Sequence, residues 1–328
     1  MKDNRRAAVK KLKSLVFTQK SETEKFRKKI EKTFSEIFIP VNVECVTREC
    51  GGIQCDFLSP DVYASDKIIV YIHGGSFVGG SCASYRSFCA SFANAALCKM
   101  IVPEFRLPPS YSFPAGIEDL ENMFRSYFIQ DEVDSHFRKE RGDTKIIIAA
   151  DGSGASIAFG VLQKLSKENL SRIKNIILFS PWLDFSPDSP LLMDRKKHDE
   201  IVSTESLRAS IDSYTYESNH VNPLVSPNLM PDEKVKELPP VYIQCGSKEI
   251  ILEQVMEFEN LLESNGVECT LDVVEDMMFM FQMADEYLNE SHLAMERVGN
   301  FIKNRKNFSD EELRERELII KRNNIYRE

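Results

Sequence analysis

Short apolar runs that alternate with helix-like segments constrain the fold of this chain more than any other feature. Six runs have the length and the apolar or β-branched content of buried strands: 68–72, 99–103, 145–149, 174–179, 240–245 and 269–274. Helix-like segments separate or follow them, around 84–97, 115–128, 155–167, 251–264 and 290–304. This alternation predicts an α/β domain over residues 41–304, with a mostly parallel sheet that carries helices on both faces.

Two regions interrupt the alternation, and a charged tail follows it. Residues 41–58 contain two further strand-like runs joined near Gly51-Gly52, which predict an opening hairpin. Residues 184–238 are irregular and rich in Ser, Asp, Pro and Asn, so we expect loops and short helices that contribute to a cap over a pocket. In the tail, 305–328, Ser309 precedes acids and alternating charges, which predicts a solvated C-terminal helix.

Residues 1–40 are predicted to form a helical arm that acts as a cap. The first 32 residues hold twelve Lys and Arg against four Asp and Glu, although the whole chain has a net charge of −9. Val9, Leu12 and Val16 recur at helical spacing, so we expect the arm to pack an apolar stripe on the domain. Its basic outer face can touch an anionic surface, whereas the acidic remainder of the chain argues against nucleic acid as a partner.

Composition and cysteine spacing narrow the class of protein. No run of about 18 apolar residues exists, and the basic N-terminus lacks the apolar stretch of a signal peptide, so we expect a cytoplasmic protein without a transmembrane segment. Eight cysteines are scattered without a C-x-x-C pair, which is typical of reduced thiols and predicts no metal site. No motif indicates a cofactor.

Two glycine-rich segments follow predicted strands. Residues 73–76 read HGGS, and small residues at such a place let backbone N–H groups approach a ligand oxygen. Residues 149–156 read AADGSGAS between a strand and a helix, as in the nucleophile elbow of a hydrolase. The elbow pattern is G-x-S-x-G, but here Gly152 stands at its centre and Ser153 comes one residue later.

Three further motifs occur in order along the chain: PEFRLPPSYSFPAGIEDL from Pro103, SPWLDFSPDSP from Ser180 and NPLVSP from Asn222. Together with HGGS and the elbow, they resemble the hormone-sensitive-lipase branch of the α/β-hydrolases, a family of esterases, over roughly residues 40–304. The resemblance implies an eight-stranded α/β-hydrolase fold with an N-terminal helical cap. It also implies ester hydrolysis by a Ser-Asp-His triad in that chain order.

The residues that fall on the three triad positions do not fit this chemistry. By the resemblance, the nucleophile falls on Gly152, the acid on Lys248 and the histidine on Phe279. Gly152 has no side chain, Lys248 has the wrong charge to stabilise an imidazolium, and Phe279 cannot transfer a proton. We therefore expect no catalytic residue at these positions, with Lys248 and Phe279 as neighbours.

The first functional hypothesis is a catalytically inactive pseudo-esterase that binds a small acyl or carboxylate ligand, or a protein partner. Its ligand-binding residues would be His73, Gly74, Gly75, Ser76 and Ser153. Another hypothesis is a structural, partner-binding protein whose pocket is filled by large side chains such as Met278 and Phe279. Whether the space beside Gly152 is open or filled distinguishes the two.

A hypothesis of a different class is a carboxylic-ester hydrolase with an unconventional site. Ser153 would be a shifted nucleophile and Glu249 the acid. After the elbow the chain offers as bases only His198, His220 and His292, none of them near Phe279 in the sequence. Hydrolysis of a short acyl ester would separate this hypothesis from the other two.

Overall fold

A computed structural model of the chain describes residues 2–35, 38–64, 67–138, 144–193 and 199–303. The helix expected at 305–328 lies outside the described residues. All eight cysteines are free thiols. No helix within the described ranges is both long and apolar enough to cross a membrane.

Eight strands form one sheet, as expected for an α/β-hydrolase fold. They are β1 (Val43–Cys50), β2 (Ile53–Pro60), β3 (Lys67–Ile72), β4 (Lys99–Pro103), β5 (Lys145–Asp151), β6 (Ile173–Phe179), β7 (Val241–Gly246) and β8 (Cys269–Val274). The spatial order is β1-β2-β4-β3-β5-β6-β7-β8. The β1–β2 and β2–β4 pairs are antiparallel, and all other pairs are parallel. The predicted hairpin and the mostly parallel sheet are confirmed.

Helices flank the sheet close to the positions predicted from the sequence. They are α1 (Lys2–Leu12), α2 (Thr23–Phe34), α3 (Cys82–Ala96), α4 (Ala115–Arg138), α5 (Ser153–Leu162), α6 (Lys167–Ser171), α7 (Pro190–Met193), α8 (Thr204–Tyr214), α9 (Asp232–Val235), α10 (Leu252–Ser264) and α11 (Asn289–Ile302). The helix predicted at 155–167 ends early, and a new one begins after Ser166. The Ser166 side chain accepts the N–H of Asn169 and so caps α6.

The central strands are buried on both faces, as parallel strands between two helix layers must be. Ile69 to Ile72 of β3 and Ile146 to Ala150 of β5 are almost fully inaccessible to water. Parallel strands end at one edge of the sheet, and the loops that follow β3, β5, β6, β7 and β8 therefore meet there. The candidate site lies at this edge.

The N-terminal arm packs against the same edge, which confirms the expected docking of its apolar stripe. Leu12 and Val16 are buried, and Val9 is partly buried against the core. Helix α2 approaches the loop after β3 so closely that a Cβ added to Gly79 would lie 2.7 Å from Ile30 Cδ1. The arm therefore covers the loop that contains HGGS.

Ion pairs fix the arm at its outer end. Arg5 Nη1 donates to the carbonyl oxygen of Asp276 at 2.8 Å, and Arg5 Nη2 lies 2.5 Å from Glu200 Oε1. Lys11 pairs with Glu286. These partners belong to the loops after β6 and β8, so the arm bridges the segments that surround the site.

Candidate functional site

The turn between β5 and α5 has the backbone of a nucleophile elbow. Gly152 at its apex has φ +45° and ψ −121°, values that residues with a side chain rarely adopt. Its N–H donates to the carbonyl oxygen of Phe179 at 3.1 Å, and its own carbonyl oxygen accepts the N–H of Trp182 at 3.0 Å. The turn is therefore held by β6 and the loop that follows β6.

Phe279 lies directly opposite Gly152. A Cβ added to Gly152 would be 3.2 Å from Phe279 Cζ. The Phe279 ring is 3% exposed and packs against Trp182 with the ring centroids 5.8 Å apart. The predicted nucleophile and base positions thus face each other, but neither carries a group that can transfer a proton.

A buried carboxylate holds the HGGS loop against the elbow. Asp151 Oδ1 accepts hydrogen bonds from the N–H of Gly74 and the hydroxyl of Tyr71, and Oδ2 accepts the hydroxyl of Tyr85, all at 2.9 Å. Burial raises the pKa of Asp151 to about 6, and these hydrogen bonds oppose that rise. Because its partners lie on three segments, Asp151 fixes the relative positions of the loop and the elbow.

His73 is enclosed by aromatic rings and takes no part in an acid–base pair. Its ring lies between Phe105 and Tyr85, with centroid distances of 4.4 Å and 5.2 Å. Nδ1 donates to the carbonyl oxygen of Gly74 at 3.0 Å, and burial lowers the pKa of His73. The neutral ring therefore supports the shape of the loop.

The two serines expected to bind a ligand are used inside the protein. Ser76 Oγ donates to the carbonyl oxygen of Leu15 at 2.9 Å and accepts the N–H of Phe17 at 3.0 Å. Ser153 Oγ accepts the N–H of Phe77 at 2.8 Å. Both serines are buried. They tie the HGGS loop to the arm on one side and to α5 on the other.

No histidine in the described ranges hydrogen-bonds to Ser153. His220 lies in the insertion, where its Nε2 is 3.9 Å from Asp212 Oδ1. His292 is an exposed residue of α11. His198 lies outside the described residues. The shifted-nucleophile arrangement therefore has no base among the histidines that the structure describes.

Aromatic side chains fill the space around the elbow. Phe77 stacks on Tyr214 with a centroid distance of 4.2 Å, and it also packs against Trp182 and Phe185. All four are buried. Gly74, Gly75, Gly152 and Phe279 line none of four cavities found between the described residues. Buried aromatic rings therefore fill the space in front of the elbow.

The elbow nevertheless keeps backbone donors for a ligand oxygen. No hydrogen bond between described residues uses the backbone N–H of Gly75 or Ser153. Amides in these two places, on the glycine loop and just after the elbow apex, form the oxyanion hole of an α/β-hydrolase. A family model for the alpha/beta hydrolase fold matches residues 69–283 of the chain. The chain belongs to the alpha/beta hydrolase family.

Curated relatives of this hydrolase-family chain carry hydrolase names. An esterase from Acinetobacter venetianus is 28% identical over 76% of this chain and 79% of its own length. An acetyl-hydrolase from Streptomyces hygroscopicus is 26% identical over 72% of this chain and 75% of its own length. The resemblance therefore extends over most of each protein.

Solved structures share the fold. A crystal structure described as an esterase from the bacterial hormone-sensitive lipase family superimposes with a TM-score of 0.77 at 21% identity, covering 92% of this chain and 98% of that one. An esterase/lipase from an uncultured bacterium gives a TM-score of 0.76 at 23% identity, over 90% and 96% of the two chains. At these identities the likeness establishes the fold.

The assignment of the acid position to Lys248 needs correction. The loops do meet, because the N–H of Lys248 donates to the carbonyl oxygen of Met277 at 3.0 Å, two residues before Phe279. The Lys248 side chain, however, is exposed, whereas Phe279 is buried. The side chain that turns inward at this point is the next one, Glu249, which is 5% exposed.

Glu249 joins three loops of the site. Its Oε1 accepts the N–H of Gly246 at 2.5 Å and the hydroxyl of Ser180 at 2.8 Å. Ser180 Oγ in turn accepts the N–H of Met280, the neighbour of Phe279, at 3.1 Å. Glu249 Oε2 is buried and has no hydrogen-bond partner in the described part of the chain. Burial raises the pKa of Glu249 to about 8.

Two residues that hold the site in place, Asp151 and Trp182, were not identified from a sequence motif. Asp151 ends the apolar strand β5 immediately before the elbow, and an acid in that place is a signal for a structural hydrogen-bond centre. Trp182, the only tryptophan, supports both Gly152 and Phe279. Its role depends on contacts between distant segments, which no local pattern contains.

No group of three or more His, Cys, Asp or Glu side chains among the described residues is placed to hold a metal ion.

Proposed function

We propose that this chain is a catalytically inactive member of the alpha/beta hydrolase family that acts by binding. One observation carries the proposal: Gly152 stands at the apex of the elbow and Phe279 occupies the space in front of it. A hydrolase of this family needs a nucleophile at the first position and a base at the second. Loss of a whole triad lowers turnover by about a millionfold.

The filled site favours a protein partner over a small acyl or carboxylate ligand. Each of the five residues expected to bind such a ligand is buried. Ser76, Ser153 and His73 also use their polar atoms in contacts that hold the loop in place. A ligand at the elbow would have to displace Phe279 and the rings behind it, whereas a protein partner can use the surface. A cytoplasmic location belongs to this proposal and is supported by the eight free thiols.

Ester hydrolysis is the competing function, and two observations favour it. The curated relatives are named as an esterase and an acetyl-hydrolase, and a buried carboxylate, Glu249, lies beside the loop of Phe279. Against it, Ser153 Oγ is held by the N–H of Phe77, and no base contacts it within the described ranges.

Hydrolysis of p-nitrophenyl acetate and butyrate tests the proposal directly. We expect the purified chain to release no more nitrophenol than its heat-denatured control, and a serine-directed fluorophosphonate to leave it unlabelled. Ser153→Ala is the matched variant, because it removes the one hydroxyl at the elbow. Turnover that disappears in Ser153→Ala would establish the shifted nucleophile and overturn the inactive assignment.

A further inference from the structure

A basic depression lies on the outer face of the arm. It has a volume of about 640 Å³ and opens between α1 and α2. Its walls are formed by Asp3, Arg6, Ala7, Val9, Lys10, Lys13 and Lys29. Arg6 and Lys10 lie on α1 and Lys13 begins the 3-10 turn that continues it, at spacings of four and three residues, so the three lie on one side of this helical segment. Lys29 reaches the depression from α2.

The positive charges in this depression are not compensated within the described chain. Its four cationic residues are exposed, and none of them forms an ion pair with another described residue. Asp3 is the one carboxylate in the wall. Four like charges around one concave surface repel each other and concentrate a positive potential there.

Four other basic residues of the arm have carboxylate partners. Arg5 pairs with Glu200, Lys11 with Glu286, Lys25 with Glu22 and Arg27 with Glu24. Lys20, Lys28 and Lys32 also have no ion pair among the described residues, but they lie outside the wall of the depression, where four unpaired cations come together. The chain as a whole carries a net charge of −9, so this local excess does not reflect a generally basic surface.

We propose that the depression binds a multiply phosphorylated ligand. A single carboxylate would leave most of the four positive charges unbalanced, whereas two or more phosphate groups match their number and spread. Lysine ammonium groups bind phosphate as mobile point charges, and the guanidinium of Arg6 adds paired donors. The ligand can be a soluble polyphosphorylated molecule or the headgroup of a phosphorylated lipid. The cations of the depression are exposed, whereas Ala8 and Leu12 of α1 are buried against the domain, so the site is independent of the proposed function.

Calorimetric titration with inositol hexakisphosphate at low and at physiological ionic strength tests the site. We expect binding that weakens as salt is added. The double variant Lys10→Gln with Lys29→Gln removes one charge from each helix and should weaken binding about thirtyfold, because each cation near an anionic surface contributes about fivefold.

The matched control is Lys20→Gln with Lys25→Gln. These exposed lysines belong to the same arm but lie outside the wall of the depression, and the change in net charge is the same. We expect their affinity to stay within about twofold of the unaltered chain, since a screened charge outside the site contributes little. Equal weakening of binding by both double variants would mean that only the overall charge of the arm matters, and it would overturn the proposed site.

Flotation with phosphatidylcholine vesicles, with and without phosphatidylinositol bisphosphate, separates the two sources of phosphate. Binding to the phosphorylated vesicles identifies a lipid headgroup, and binding to inositol hexakisphosphate alone identifies a soluble ligand; either result supports the proposal. Binding to neither contradicts it. Tighter binding to single-stranded RNA than to inositol hexakisphosphate also contradicts it, because the surface would then serve nucleic acid.

Discussion

The two halves of the candidate site differ in what they preserve. On one side, the elbow and the HGGS loop are joined by Asp151, both of whose carboxylate oxygens are hydrogen-bonded. On the other side, the loops after β7 and β8 bring Glu249 beside the loop of Phe279, with one carboxylate oxygen unpaired. The first half is a complete backbone framework, and the second is an acid without a histidine to orient. The backbone framework of the hydrolase fold is therefore retained although Gly152 and Phe279 occupy two of the three triad positions.

The largest expected effect comes from rebuilding the missing side chains on this framework. The double variant Gly152→Ser with Phe279→His should hydrolyse p-nitrophenyl acetate about a hundredfold faster than the unaltered chain, because a paired general base contributes on that order. Each single change should have little effect, since a serine without its base is a poor nucleophile.

The same experiment decides between the two acid positions. Adding Glu249→Gln to the active double variant should abolish most of the gain, whereas adding Lys248→Asp should change it little because Lys248 is exposed. A double variant that folds but stays inactive would mean that the backbone framework is no longer competent for catalysis.

The free energy of unfolding measures how much the packing of Phe279 contributes to its half of the site. Phe279→Ala should lower the free energy of unfolding by about 3–5 kcal/mol, because it removes a buried ring and leaves a cavity. Phe38→Ala is the control, since Phe38 is 72% exposed. Urea denaturation measures both. Similar losses for the two variants would show that Phe279 does not close the site.

The pH dependence of stability tests the unpaired acid. The pKa of Glu249 is raised to about 8, above the ordinary glutamate value of 4.5, so the folded chain holds this proton more tightly than the unfolded chain. Its contribution to stability is therefore full below about pH 4.5 and falls as the pH rises towards about 8.

Glu249→Gln keeps the shape of the side chain and removes its titration. The melting temperature of the unaltered chain should fall more steeply between pH 5 and 8 than that of the variant, as measured by calorimetry. Parallel curves would indicate that Glu249 is charged in the folded state, as it would be in a working hydrolase. Glu263→Gln is the control, since Glu263 is an exposed residue of α10.

The smallest effect on stability is expected from the ion pairs of Arg5, which join the arm to the loops around the site. Arg5→Ala should change the free energy of unfolding by about 1 kcal/mol or less, because its ion pairs with Glu200 and Asp276 are partly exposed. Ile30→Ala, on the buried face of α2, should cost several times more and serves as the comparison. Denaturant titrations at low and high salt separate the ion-pair contribution of Arg5, which salt weakens, from the apolar contribution of Ile30.

Sequence patterns predicted the sheet because each strand is a local run of β-branched and apolar residues, as in β3 and β5. They did not decide between Lys248 and Glu249. Which of two adjacent residues turns inward after β7 depends on a tight turn, in which the N–H of Glu249 donates to the carbonyl oxygen of Gly246. Sequence alone could not predict the filled site either, since Phe77, Trp182 and Phe279 come together from three distant loops.

Glycine at the elbow affects how this chain can evolve. A residue with a side chain at φ +45° carries strain of about 1–3 kcal/mol, which a hydrolase retains because its nucleophile must stand there. Glycine removes that strain and gives up only about 0.5–1 kcal/mol through the greater freedom of the unfolded chain. Once catalysis is no longer selected, Gly152 is therefore the more stable state, and the packing of Phe279 against it stabilises the change. Under the proposed function, serine at this position alone would reduce stability without giving activity, so a loss of catalysis would be difficult to reverse one mutation at a time.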